Sequence, residues 1–172
     1  MPGSTPTYGF PYPTGTDRVQ DGDNAIAALA QAVEDEIDAG AVPGGELAYA
    51  QVTANQGPIT GDVDLTGLSV TVDVAAGRRI RISGEANMQS SVVNDRLGLE
   101  IAEGAVQMQA ARQRAVIAND SVRLLGSITL TPTAGAHTYK LMGGRLSGTG
   151  SVTMVAGPTN PALIQVEDLG LA

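Results

Sequence analysis

"LSVTVDVAAGRRIRISGEANMQ", residues 68–89, decides the fold. Val70, Val72 and Val74 fall at every second position, with Ser69, Thr71 and Asp73 between them. That period of two sends successive side chains to opposite faces of a strand. Ala76-Gly77 interrupts the pattern with turn chemistry, and Ile80 and Ile82 resume it. The same period recurs on both sides. "ELAYAQVTAN" (46–55) precedes the stretch. "RLGLEIAEG" (96–104) puts Leu97, Leu99 and Ile101 on one face. "SVRLLGSITLTPTAGAHTYKLMGG" (121–144) places Ile128 and Leu130 inward, turns at Thr133 to Ala136, and continues to Tyr139 and Leu141. "SVTMVAG" (151–157) and "ALIQVEDLG" (162–170) complete about eight to ten short strands, the regular spacing of an antiparallel sandwich or barrel. Much of the chain's complement of 22 glycines sits at strand ends, where tight turns call for positive φ.

A chain of 172 residues has room for one good-sized domain and an appendage. Its single Phe and lack of Trp mean that the core is built from Ala, Val, Leu and Ile. With 10 basic against 18 acidic residues, the net charge of -8 argues against nucleic acid or an anionic membrane as partner of the chain as a whole. There is no Cys, which excludes disulfides, thiolate zinc sites and a cysteine nucleophile. No secretory signal and no apolar run approaching a membrane span is visible, so synthesis in a cytosol and no membrane insertion are expected.

The first 20 residues hold Pro2, Pro6, Pro11 and Pro13, with Tyr8, Phe10 and Tyr12 among them. Proline fixes φ and removes donors, so this lead is expected to be an extended arm. Its aromatics have no local core and read as anchors in another protein. From Asp21 to Ala39 the pattern turns helical, with Asp21, Asp23 or Asn24 as N-cap. Ile26, Leu29, Val33 and Ile37 form one apolar stripe, and alanines fill the rest. So narrow a stripe suits packing on the body or a small bundle of identical helices. "GAVPGGE" (40–46) reads as a hinge. The expected organisation is therefore an arm over 1–20, a helix over 21–39, a hinge over 40–46 and a β-sandwich head over 47–172.

Motifs that would carry chemistry are sparse. The only histidine, His137, has neither Cys nor a second His for zinc and no nucleophile elbow for a triad, and reads as a surface or interface residue. "GGRLSGTGS" (143–151) lacks the ending of a P-loop and reads as a hairpin. "DRVQDGDN" (17–24) lacks the spacing of a calcium loop, so its acids read as helix-capping groups. "EDEID" (34–38) sets acids at the helix C-terminus, against the macrodipole, where an outside basic surface would relieve them. "GRRIRI" (77–82) and "ARQRAV" (111–116) place Arg78, Arg79, Arg81, Arg112 and Arg114 mostly opposite the aliphatic face, as partners for Asp and Glu. Glu85, Asp95, Glu100 and Glu103 are acids that nothing in the sequence brings together, which removes the paired carboxylates a glycan-cleaving enzyme needs. The expectation is no enzyme, with no catalytic residue, cofactor or metal.

"YPTGTDRVQDGDNAIAALAQAVE" (12–34) resembles the N-terminal segment of tail and fibre-type virion proteins of bacteriophages that infect actinobacteria. "ITLTPTAGAHTYKL" (128–141), the Gly-rich stretch after it and the closing "VEDLG" (166–170) are similar to jelly-roll heads of the tumour necrosis factor and complement type. The resemblance implies a jelly-roll head, a homotrimer around a threefold axis, and an N-terminus docked on the virion through Tyr8, Phe10 and Tyr12. It also implies Ile26, Leu29, Val33 and Ile37 at the helix oligomer interface. The chain has no collagen-like or coiled-coil shaft, which favours a short appendage: a minor tail or short-fibre protein, or a capsid decoration (head-fibre) protein. Partners on this reading are further copies and other virion proteins, with host-surface glycan as the adhesion alternative.

Overall fold

The computed structural model describes residues 3–4, 11–12, 19–38 and 44–172. In the N-terminal unit, β1 (Gly3–Ser4) pairs antiparallel with β2 (Pro11–Tyr12). The helix α1 (Val19–Asp38) begins two residues before the expected start. Asp21, Asp23 and Asn24 therefore lie inside it and not at its N-cap. Gln31 donates to Asp35 one turn on, at 2.9 Å. The helix carries no basic residue in its last turn.

The second unit is an antiparallel jelly-roll sandwich of ten strands: β3 (Gly45–Val52), β4 (Gln56–Ile59), β5 (Asp62–Val74), β6 (Arg78–Ser90), β7 (Arg96–Glu103), β8 (Val106–Arg114), β9 (Ser121–Leu130), β10 (Gly135–Ser147), β11 (Val152–Val155) and β12 (Ala162–Leu171). β3 starts inside the stretch expected as a hinge, because Gly45 pairs with Asp168 and the Gly44 N–H donates to the Asp168 carboxylate. One sheet runs β5-β10-β7-β8. The other runs β3-β12-β6-β11-β4, with β9 along the opposite edge of β6.

Successive strands mostly change sheet, the arching connection of a jelly roll. β5 and β6 lie in different sheets, and so do β10 and β11. "GGRLSGTGS" is therefore a crossover and not a hairpin: after β10 ends at Ser147, residues 148–151 carry the chain from one sheet to the other. The hairpin within a sheet is β7–β8.

The alternating residues of the opening stretch meet between the sheets. Val70, Val72, Val74, Ile80 and Ile82 are buried with Leu97, Leu99, Ile101, Tyr139 and Leu141. Gly84 leaves room where the sheets close on each other, since a Cβ there would press on the Leu141 side chain.

Candidate interaction surface

Tyr8 and Phe10 lie outside the described residues. Tyr12 is described through its backbone, which pairs with Gly3. Ile26, Leu29, Val33 and Ile37 share one helix face and are all exposed, from 37% at Leu29 to 63% at Ile26.

A second apolar surface is the outward face of the larger sheet. Because side chains alternate, burying Ala48 and Ala50 of β3 sends Leu47 and Tyr49 outward. Burying Leu124 in the same way exposes Leu125. Leu125 and Leu163 line a shallow depression of about 420 Å³ together with Ser83, Glu85, Ser127 and Gln165. Gly84 and Gly126 pair directly across its floor. Ion pairs frame it: Arg81 with Glu167 at 2.7 Å, and Arg123 with Glu85 at 2.6 Å. The head's aromatic residues are Tyr49, which is exposed, and Tyr139, which is fully buried. A flat aromatic platform for sugar rings is therefore not formed.

Of the arginines in the two basic runs, Arg78, Arg81 and Arg112 find carboxylates, and Arg78 departs from the face of the others. It sits in phase with Ile80 and Ile82, so its side chain enters the end of the sandwich, where its guanidinium makes a bidentate pair with buried Asp168. Asp168 also accepts from the Gly44 and Gly170 amides, and these bonds with Arg78 hold it below the usual carboxylate range although burial opposes them.

On the outward face of the smaller sheet, Asp62, Gly144, Gly98 and Arg112 fall in one cross-strand row. Asp62 hydrogen-bonds there to the carboxyl of Glu100, and its pKa is pushed up to about 6 by burial first and by Glu100 second, with Arg112 opposing. Arg112 lies 3.6 Å from Glu100, which is itself buried. Two acids far apart in the sequence are thus brought together across glycines that offer no side chains to separate them. Asp62 is exposed on the sheet face, whereas Glu100 beside it is buried.

His137 spans two elements. Its Nδ1 is 2.6 Å from Glu103, and its Nε2 is 2.8 Å from the Thr133 carbonyl, which can only accept. The imidazolium satisfies both partners, and the Glu103 bond raises the pKa first, the Thr133 bond second. Sequence reasoning missed Asp95, a buried carboxylate that accepts from Ser90 Oγ at 2.6 Å, the Thr149 amide at 3.0 Å and the Gly150 amide at 2.9 Å. Its signal was present in the flanking turn residues on both sides. Among the described residues no group of three or more metal-binding side chains forms, and no helix is long and apolar enough to cross a membrane.

No protein-family model and no curated protein matches the sequence. Solved structures that are similar include the Eiger TNF from S. frugiperda, at 9% identity and a TM-score of 0.41, covering 74% of this chain and 95% of that one. The C-terminal domain of EclA, a sugar-binding protein, is similar at 9% identity and a TM-score of 0.33, over 73% of this chain and 72% of that one.

Proposed function

We propose that the chain is a structural protein of a tailed bacteriophage virion: a homotrimeric surface appendage of the minor tail or short-fibre type, made in the host cytoplasm. Its N-terminal arm anchors it to another virion protein, with Tyr8, Phe10 and Tyr12 as the buried anchors, and the jelly-roll head projects. The observation that carries this reading is the exposed stripe Ile26, Leu29, Val33 and Ile37. A helix of this length is marginal alone in water, and its one apolar face needs a cover. Further copies supply it in a trimer. The outward face of the larger sheet, with Leu47, Tyr49, Leu125 and Leu163, offers the heads a second contact of the same kind.

Light scattering on the full chain tests the assembly. A mass three times 17.5 kDa is expected, and a monomer at micromolar concentration refutes it. The same measurement on residues 46–172 tells whether the helix drives assembly or only tethers the head. Antibody labelling of particles under the electron microscope tests the location. Label on the tail supports the first reading, label on the capsid the decoration alternative, and unlabelled particles end both.

A further inference from the structure

The end of the sandwich opposite Gly44 carries a surface that neither the sheet face nor the helix accounts for. Two loops meet there. Residues 91–95 follow β6, and residues 115–120 follow β8. They are tied together by backbone bonds: the Asn94 amide donates to the Ala115 carbonyl at 2.7 Å, the Ala115 amide to the Asp95 carbonyl at 2.9 Å, and the Asn119 amide to the Ser90 carbonyl at 2.7 Å. Asn94 and Asn119 turn the chain with positive φ, 69° and 61°. Each loop then presents two β-branched aliphatics to water. Val92 and Val93 are 39% and 46% exposed, Val116 and Ile117 77% and 61%. Four such side chains on cross-braced loops make an exposed apolar knuckle. Isolated exposed aliphatics are ordinary, but a contiguous group is a contact.

Its edge is basic. Arg96 and Arg114 are directly opposite each other where β7 and β8 end. Like charges in that position repel. Among the described residues neither has a carboxylate within ion-pair distance, although Arg78, Arg81, Arg112 and Arg123 all do. The nearest acids along the chain do not serve them. Asp95 is buried and accepts from Ser90, Thr149 and Gly150, and Asp120 accepts from the Ser121 amide. The net charge of -8 does not describe this end either. Residues 19–38 contain six acids and no base, while residues 44–172 contain eleven acids and nine bases. Most of the excess therefore sits in the helix.

We propose that this end of the head docks on a bilayer surface bearing anionic headgroups. Val92, Val93, Val116 and Ile117 enter the apolar edge of the interface, and Arg96 and Arg114 meet headgroup anions beside them. The chemistry selects the partner: exposed aliphatics beside two arginines without carboxylate partners among the described residues match an apolar layer lying under anionic headgroups. The docking is peripheral, and it stands independently of the virion reading. A chain absent from particles that still binds vesicles loses only that reading.

The test is co-sedimentation of the full chain with phosphatidylcholine vesicles, with and without about a third phosphatidylglycerol, chosen as generic neutral and anionic surfaces. Binding to the anionic vesicles that weakens with salt is expected. Replacing both arginines (R96Q with R114Q) should weaken it roughly thirtyfold, each charge near the surface contributing about a factor of five. Replacing the two most exposed aliphatics (V116N with I117N) should weaken it by about tenfold or more. All four residues are exposed, so unchanged circular dichroism and melting show that the fold is kept. The absence of Cys permits a single label. A polarity-sensitive dye at V116C should shift to the blue on anionic vesicles, and one at A134C, at the opposite end of the sandwich, should not. No sedimentation at millimolar lipid overturns the proposal and leaves the knuckle to a protein partner. Binding indifferent to both double variants, or a shift at A134C instead, overturns it equally.

Discussion

Replacing Asp95 by alanine tests whether the loops at the far end of the head are held by one carboxylate. Its oxygens accept from Ser90 Oγ at 2.6 Å, the Thr149 amide at 3.0 Å and the Gly150 amide at 2.9 Å, and the residue is 2% exposed. A hydrogen bond to a charged group contributes about 1.5–3 kcal/mol, and a buried donor left without a partner costs about 1–3 kcal/mol. Three donors would together suggest more than 5 kcal/mol. The amides belong to surface turns, however, and water reaches them once the loops relax, so a loss of about 3–4 kcal/mol is expected. In a domain of this size that lowers the melting temperature by about 10–15 °C. Urea and thermal unfolding followed by circular dichroism measure it.

The pH dependence supplies a second check. The Ser90 bond first, then the two backbone amides and the charge of Arg145, hold the Asp95 carboxyl below its ordinary range. A group with a depressed folded pKa stabilises fully above its unfolded value, near 4, and loses that contribution as pH falls through the folded value. The gap between wild type and D95A should therefore be constant from pH 6 to 8 and close in acid. A melting temperature within 3 °C of wild type at pH 7, or a gap that persists unchanged in acid, refutes the reasoning.

The raised pKa of Asp62 predicts the opposite sign. Its folded pKa, about 6, lies above the unfolded value, so the folded state binds the proton more tightly and stability falls as pH rises from about 4 to 6. D62N removes the penalty: its urea midpoint should exceed that of wild type at pH 8 and match it near pH 4. A difference that ignores pH would sink this. His137 has a raised pKa, so its contribution is complete below the unfolded value of 6.5 and is lost as pH rises through the folded one. H137Q should melt below wild type at pH 5.5 and approach it in alkali, and NMR titration of the single imidazole should give a midpoint above 6.5.

The strands were legible because a period of two is a local property: Val70, Val72 and Val74 show their common face without reference to any partner. Which sheet each strand joins was not legible, since alternation reveals a face and not a neighbour. The reading of residues 143–151 as a hairpin failed for this reason. Asp62 and Glu100 are separated by 38 positions and come together because β10 passes between their strands with a glycine at the critical row. Arg78 was assigned to the wrong face by its neighbours Arg79 and Arg81. Phase with Ile80 was the better guide, and a buried carboxylate to meet it, Asp168, lies 90 residues away. The stripe on α1 was plain from spacing, yet no pattern within one chain tells what covers it.

The distribution of charge bears on how the proposed trimer would hold together. Three parallel copies of α1 would bring eighteen carboxylates around a stripe of four aliphatics each, with no base in any copy to offset them. Packed helices lie about 8–10 Å apart. That is close to the Debye length of about 8 Å at physiological salt, so the repulsion is only partly screened. The acids of residues 34–38 add to it at the end where the dipole is already negative. A bundle of this helix alone is therefore a weak device. The apolar sheet face, on a head with nearly balanced charge, is the stronger candidate for the contact that holds the copies. In the proposed trimer the helices would then meet because the heads do, and their acids would be left for a basic surface on the protein proposed to receive the arm.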